Sequence, residues 1–349
     1  MKIAFYVYPT AFQSPGGGEI LLLKTKEYLE KEGVRVKLFD PWNDKLKDFD
    51  ILHVFGSVKD ALSMMEAARR AGVKNVLSTI CWYSLRAAWG NYGSLKTRSG
   101  AVLRHAAKVF CPFVPSERKR MMDIADVLIP NSESESNQIE RFFLVPKKKI
   151  VVIPNAVDSI FARAKPNSFI EKFGFQDFVL CVGRIEPRKN QLGMVRALSG
   201  TKVQFVIIGD PVKTYPEYYQ ACRKAAGNNI HFLGGIPHDS EMLGSAYAAC
   251  NTFLLASWLE TPGLAALEAG LSGAKIIVTR EGAAQEYFRD FVSYVDPNDS
   301  SDILRKTLTA VERPKDTLLQ DHIRQNFLWE HTVKKTLEIY RKLLHNNAL

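Results

Sequence analysis

The sequence predicts an α/β protein made of two doubly wound domains. Its 349 residues suit two domains better than one. Short apolar runs alternate with helix-like stretches along almost the whole chain. That alternation breaks clearly once, near Pro154–Pro166, where Pro, Asn and Lys interrupt it. The composition, 46% hydrophobic and 24% charged, is ordinary for a globular chain and allows a core in each half.

In the first half, strands are expected at Ile3–Tyr8, Val34–Phe39, Ile51–Phe55, Val76–Thr79, Asp126–Ile129 and Ile150–Ile153. A Gly-rich turn, Pro15-Gly16-Gly17-Gly18, leads into a helix over Glu19–Glu32 that Gly33 closes. A second helix over Asp60–Ala71 ends at Gly72. The second half repeats the plan with strands at Phe178–Val182, Val203–Ile208, Ile230–Leu233, Thr252–Leu255 and Lys275–Val278. Helices fit Gln191–Leu198, 217–226, 239–249, 262–271 and 283–289. Strands and helices alternating at this spacing argue for parallel sheets covered on both faces. The expected domains are 1–155 and 156–328, and a last helix near 329–349 packs back on the first of them or onto the second.

No run of 18 apolar residues is present, so no spanning helix is expected. The start, Met1 to Tyr8, reads as a strand and not as a secretion signal, which points to the cytoplasm. Cys81, Cys111, Cys181, Cys222 and Cys250 are widely spaced and contain no C-x-x-C pair, so neither a disulfide framework nor a structural zinc site is expected.

The net charge of +10 is uneven. Residues 1–155 hold 24 Lys+Arg against 16 Asp+Glu, a net of +8, and the remainder holds 23 against 21. Between 86 and 120, Arg86, Lys96, Arg98, Arg104, Lys108, Arg118, Lys119 and Arg120 face a single acid, Glu117. Trp89, Tyr92, Phe110 and Phe113 lie in the same stretch, and Ala101, Val102, Leu103, Ala106 and Val109 alternate with Arg104 and Lys108 as in an interfacial helix. This stretch reads either as a solvated basic face or as a surface for an anionic acceptor or an anionic membrane.

In open parallel sheets, ligands bind beyond the carboxyl ends of the strands. After Thr252–Leu255 comes Ser257-Trp258-Leu259-Glu260-Thr261-Pro262-Gly263-Leu264-Ala265-Ala266-Leu267-Glu268. Thr261 suits a helix cap, Pro262 the first helical position, and Gly263 lets a ligand approach the backbone. Amides at such a helix start attract an anion, while Glu260 and Glu268 can accept hydrogen bonds from hydroxyls. The same residues also read as a capped helix with two surface glutamates. After Phe178–Val182 comes Gly183-Arg184-Ile185-Glu186-Pro187-Arg188-Lys189-Asn190, in which Arg184 and Lys189 could clamp a diphosphate or simply form a basic loop.

Taken in order, these segments resemble glycosyltransferase family 4, the retaining, group 1 glycosyltransferases. Gly16-Gly17-Gly18-Glu19 is similar to that family's glycine loop, and Asp50-Ile51-Leu52-His53-Val54 to its third strand. Asp126 to Ser132, Val152 to Asp158, Gly183-Arg184 through Lys189-Asn190, and Glu260 to Glu268 as E-x7-E are similar to its later motifs, with Gly282 and Glu286 beyond them. The resemblance implies the GT-B fold, two Rossmann-like domains facing a central cleft. It implies transfer of a hexosyl unit from a UDP- or GDP-sugar to a glycan or lipid-linked acceptor in polysaccharide or glycoconjugate synthesis. It also implies work without a metal ion or any cofactor beyond the donor substrate.

Carried over by position, Arg184, Lys189 and Glu260 would be catalytic. Gly17, Gly18, Gly183, Gly234, Ile236, Gly263, Leu264, Ala265 and Glu268 would bind the donor. The family often has a His after the fourth strand that faces the transferred sugar. Here Cys81 or Trp82 stands in that place, and with Arg86 and Arg104 these form the acceptor-side candidates. His53 is expected to pack at a strand end. The implied partners are the donor, a saccharide or lipid-linked acceptor and an anionic membrane surface on the cytoplasmic side. A sugar-nucleotide epimerase is the alternative chemistry on the same fold, and a nucleic-acid-binding protein lacks any motif to support it.

Overall fold

The computed structural model describes residues 1–13, 16–90, 93, 95–111 and 113–345. Pro15 of the expected glycine turn and Tyr92 of the basic stretch lie outside the described residues. The chain divides into two compact units. The first comprises Met1–Tyr83, Ala106–Ala156 and the chain from Trp329 onward; the second comprises Ser84–His105 and Val157–Leu328.

The first unit holds a five-stranded parallel sheet of β1 (Lys2–Tyr6), β2 (Arg35–Leu38), β3 (Ile51–Phe55), β4 (Lys74–Ser78) and β5 (Val127–Ile129), in the order β2-β1-β3-β4-β5. Both faces are covered, so the central strands are largely apolar, as in Ile51–Phe55, where every residue is buried and only His53 is polar. On one face, helices Gly17–Lys31 and Trp329–Leu344 bury Leu22, Leu29, Trp329, Val333 and Tyr340 against Ile3, Phe5 and Ile51. On the other, helices Leu62–Arg70, Glu117–Ile124 and Glu133–Phe143 bury Met65, Met121, Ile139 and Phe142 against Ala4, Leu52 and Leu77. Gly33 (φ +77°) and Gly72 (φ +76°) close their helices in the left-handed region.

His53 is buried within the sheet. Its Nδ1 lies 2.5 Å from the Tyr340 hydroxyl and its Nε2 2.9 Å from Ser78 Oγ. Burial pushes its pKa down to about 3.

The second unit holds a six-stranded parallel sheet of β6 (Val179–Val182), β7 (Phe205–Ile208), β8 (Ile230–Phe232), β9 (Thr252–Leu255), β10 (Lys275–Thr279) and β11 (Ser293–Val295), in the order β11-β10-β9-β6-β7-β8. Its strands are equally apolar: Phe205–Ile208 and Thr252–Leu255 are buried throughout.

Two sequence expectations change. Ile150–Ile153 is no strand; it makes a single bridge, Ile150 to Leu128, with Val151 N–H donating to Leu128 O. It flanks β5 and runs directly into Pro154, whose missing N–H cannot extend a ladder. Ser293–Val295, too short and polar to stand out, pairs with Ile277–Thr279 as the edge strand β11. Among the described residues, no helix is long and apolar enough to cross a membrane.

Candidate functional site

The strand order of the second unit reverses between β6 and β9. From β6 the chain proceeds outward through β7 and β8; it then returns to β9 and continues through β10 and β11 on the other side. Loops leaving the carboxyl ends of β6 and β9 therefore diverge, and such a switch point is where open α/β sheets bind ligands. Both leading candidate segments start there.

The β6 loop begins at Gly183 (φ +149°). It runs beside Gly209, where a Cβ would stand 2.0 Å from Gly183 O, so only glycine permits the approach. Gln191 holds the loop by donating from Nε2 to Arg184 O at 2.8 Å. Asn190, in the left-handed region at φ +56°, donates from Nδ2 to Ala256 O (3.0 Å) and Pro297 O (2.8 Å), tying the β6 loop to the β9 loop. Between these anchors, Pro187–Lys189 forms one short helical turn that aims Lys189 at Glu260.

Lys189 Nζ lies 2.7 Å from Glu260 Oε1. Glu260 is 3% exposed. Burial alone would raise its carboxyl pKa, but Lys189 and Arg188 outweigh burial and hold it below the usual glutamate range. Arg188 caps the same loop by donating to Leu259 O at 3.1 Å, and Arg184 lies 3.6 Å from Glu186. The Glu260 backbone is fixed from the β10 side: its N–H donates to Glu281 O and its O accepts from Ala283 N–H. Gly282 (φ +100°) allows this, since a Cβ there would stand 2.0 Å from Glu260 O.

The helix after β9 is Leu264–Leu271. It starts two residues later than expected: Thr261 and Pro262 stay in the loop, joined by a cis peptide bond, and Gly263 at φ +94° turns the chain into the helix. The first backbone bonds in the helix run from Ala266 and Leu267 to Gly263 O, so the Leu264 and Ala265 amides precede the hydrogen-bonded ladder.

Glu268, one turn in, is 4% exposed. Its Oε1 lies 2.7 Å from His238 Nε2, and its Oε2 accepts from the Tyr247 hydroxyl at 2.9 Å. Burial first, and Glu268 second, push the Tyr247 phenol well above its ordinary pKa. Gly234 (φ +76°) accepts from Gly209 N–H, Gly235 N–H donates to Asp210 Oδ1 at 2.8 Å, and Ile236 is half-buried beside them.

Thus Gly183, Arg184, Lys189, Gly234, Ile236, Glu260, Gly263, Leu264, Ala265 and Glu268 all lie on loops or a helix start after β6, β8 and β9. Sequence reasoning missed His238, Tyr247 and Asp210, and quoted Asn190 in its loop without a role of its own. A His and a Tyr near a buried carboxylate leave no signal in spacing when they stand 30 and 21 residues away from it.

The remaining candidates are spread differently. Gly17 and Gly18 open the helix Gly17–Lys31, where Glu19 accepts from Gly16 N–H (2.7 Å) and from the Tyr8 hydroxyl (3.2 Å). Cys81 is buried, and burial raises its thiol pKa to about 11. Its N–H and the Thr79 hydroxyl both donate to Glu135, itself fully buried, and these bonds hold the intervening Ile80 at φ +42°. Trp82 is half-buried.

Arg86 makes ion pairs that its sequence neighbours do not reveal. It groups with the second unit, 3.0 Å from Glu281 and also paired with Asp296, on the loops after β10 and β11. Arg104 is exposed on helix Leu95–Phe110, a helix that buries no residue. Among the described residues, no group of three or more His, Cys, Asp or Glu is arranged to hold a metal ion.

The family profile described as "Glycosyl transferases group 1" matches residues 166–326, and that described as "Glycosyltransferase Family 4" matches 42–160. The chain belongs to glycosyltransferase family 4. Related sequences include the O-antigen chain mannosyltransferase B of Escherichia coli, 26% identical over 68% of this chain and 69% of that one. The D-inositol 3-phosphate glycosyltransferase of a Nocardioides species is 23% identical over 94% of this chain and 85% of that one. The sucrose-phosphate synthase of Thermosynechococcus elongatus superposes with a TM-score of 0.75 at 16% identity, covering 99% of this chain and 100% of that one. Anabaena HepE, solved in complex with UDP, superposes at 0.71 and 19%, covering 98% and 100%. These structures share the GT-B architecture of two parallel-sheet domains. In this glycosyltransferase, the loops at the β6/β9 switch point fall inside the group 1 match.

Proposed function

We propose that this glycosyltransferase moves a hexosyl unit from a UDP- or GDP-sugar to a saccharide or lipid-linked acceptor, with retention at the anomeric carbon and without a metal ion. The observation that carries the reading is the Lys189–Glu260 pair at the switch point, beside the Leu264 and Ala265 amides. In this reading the diphosphate sits over those amides and beside Arg184, where helix-start N–H groups and a guanidinium attract it. Glu268 accepts hydrogen bonds from the ribose. Lys189, oriented by Glu260, stabilises the charge that grows on the diphosphate as the sugar–phosphate bond breaks. The acceptor oxygen bonds to the anomeric carbon from the same face, and its proton passes to the departing phosphate oxygen. A group that supplies its own base has no need of a protein His after β4, which fits the buried, weakly acidic Cys81 at that place. The mannosyltransferase relative and the UDP complex of Anabaena HepE support a hexosyl nucleotide donor.

We place the protein at the cytoplasmic face of a membrane in glycan assembly. Helix Leu95–Phe110 turns Leu95, Leu103 and Phe110 outward, followed by exposed Phe113 and Val114, with Lys96 and Arg104 exposed beside them. An apolar stripe edged with positive charge suits an anionic lipid surface.

A thermal-shift panel of UDP-, GDP- and ADP-sugars tests the donor. A ligand at about 100 times its dissociation constant adds roughly 2.7 kcal/mol. No shift with any of them sinks the reading. Release of free nucleoside diphosphate without an acceptor, or an inverted product by NMR, would refute transfer with retention.

A further inference from the structure

We propose that His238 and Tyr247 are positioning residues that aim the Glu268 carboxylate at the two hydroxyls of the donor ribose; this rests on the reading of Glu268 given above. The argument is one of hydrogen-bond capacity and of torsion. An ionised carboxylate offers about four acceptor positions. At Glu268, His238 occupies one on Oε1 (2.7 Å) and Tyr247 one on Oε2 (2.9 Å), which leaves one on each oxygen. A ribose 2′,3′-diol presents two hydroxyl donors on one edge and matches that remainder.

The last torsion of a glutamate is broad, with no sharp preferred angle. Donors on both oxygens fix it, so the free acceptor positions point one way before the ligand arrives. Such pre-organisation lowers the ordering cost of binding. Neither partner is loosely held. Tyr247 is fully buried in the helix Glu241–Ala249, and Phe161 packs edge-on against both the Tyr247 ring and the His238 ring. His238 sits on the turn after β8 and is 26% exposed, whereas the Glu268 side chain is 5% exposed. The sequence places it just past Gly234 and Ile236, the turn expected to meet the nucleotide.

The test compares affinities for UDP and 2′-deoxy-UDP, and for GDP and 2′-deoxy-GDP, with inorganic pyrophosphate as the control, by calorimetry. The wild-type chain is expected to prefer the ribose form of its nucleotide by about tenfold, the size of one hydrogen bond to a charged group. In Tyr247→Phe, which removes only the hydroxyl, and in His238→Ala, that preference falls to about twofold or less, while pyrophosphate affinity is unchanged. His238→Gln, which can still donate an N–H, recovers at least half of it on a logarithmic scale. A wild-type preference that persists in both Tyr247→Phe and His238→Ala overturns the positioning role. Equal losses for ribose form, deoxy form and pyrophosphate also overturn it, since they report a general disturbance. If the wild-type chain binds both forms equally, the ribose role of Glu268 itself is wrong, and the proposal falls with it.

Discussion

Replacing Lys189 with Met leaves the Glu260 carboxylate buried without its nearest counter-ion. Glu260 is 3% exposed and the pair is 2.7 Å apart, so water cannot substitute for the lost ammonium. Removing one partner of a buried ion pair costs about 3–5 kcal/mol, because the remaining charge stays desolvated. At about 2–4 °C per kcal/mol for a unit of this size, the melting point falls by roughly 6–20 °C. The loss also depends on pH. In the wild-type chain the carboxyl pKa lies below its unfolded value, so its contribution is present above that value and fades as pH falls through the folded one. In Lys189→Met, burial faces only the weaker opposition of Arg188 and the Ser257 hydroxyl and pushes the carboxyl up. The variant then loses stability as pH rises past the unfolded value. The gap between the two proteins should therefore widen from pH 4 to pH 8, and Lys189→Met/Glu260→Gln should close most of it. Urea denaturation at several pH values measures this. A loss below about 1 kcal/mol, or a gap that does not change with pH, would refute the account of a paired, desolvated Glu260.

Three other outcomes follow from the same structure. His53 titrates near 3 in the folded protein against about 6.5 when unfolded, so stability falls as pH drops from 6.5 toward 3, by about 1.4 kcal/mol per unit. His53→Gln should remove that component in urea titrations, and an unaltered slope in the variant would contradict it. Gly282→Ala forces a Cβ against Glu260 O at a positive φ, which should cost at least about 1–3 kcal/mol by calorimetry; an unchanged melting point would show that the loop can give way. Leu103→Asp with Phe110→Asp should abolish sedimentation with anionic vesicles at low salt and leave nucleotide binding intact, and vesicle binding that survives both changes would rule out this helix as the contact.

Most of the sheets was legible because a parallel strand covered on both faces is a nearly continuous apolar run, as Phe205–Ile208 is throughout and Ile51–Phe55 is apart from His53. Ile150–Ile153 has the same composition, but its fate is decided by its neighbours and by Pro154, not by its own residues. The helix start was misjudged by two residues because Thr261 and Pro262 form good local start signals, whereas the turn is made by Gly263 in the left-handed region. Arg184, Lys189 and Glu260 could be brought together as candidates from their place after β6 and β9. Arg86 shows the limit of reading charge alone: a basic stretch does not reveal that one of its members is already matched by Glu281 and Asp296. His238 and Tyr247 reach Glu268 only through tertiary packing, which no local pattern encodes.

The helix Trp329–Leu344 supplies Trp329, Val333, Leu337, Tyr340 and Leu343 to a core that begins with Ile3 and Phe5, and Tyr340 also meets His53. During synthesis, therefore, the unit that emerges first is finished last. Until about 340 residues have left the ribosome, one face of its sheet is covered by helix Gly17–Lys31 without its second helix, while every strand of the second unit is already out. Domains ordinarily mature in the order in which they are made. Here the order is inverted, and a nascent or clipped chain ending before Trp329 exposes the apolar part of the sheet face that Trp329, Val333 and Tyr340 otherwise bury, which invites chaperones or aggregation. The two halves of this transferase are thus made as one commitment: every strand of the second unit is out before the first unit receives its last helix.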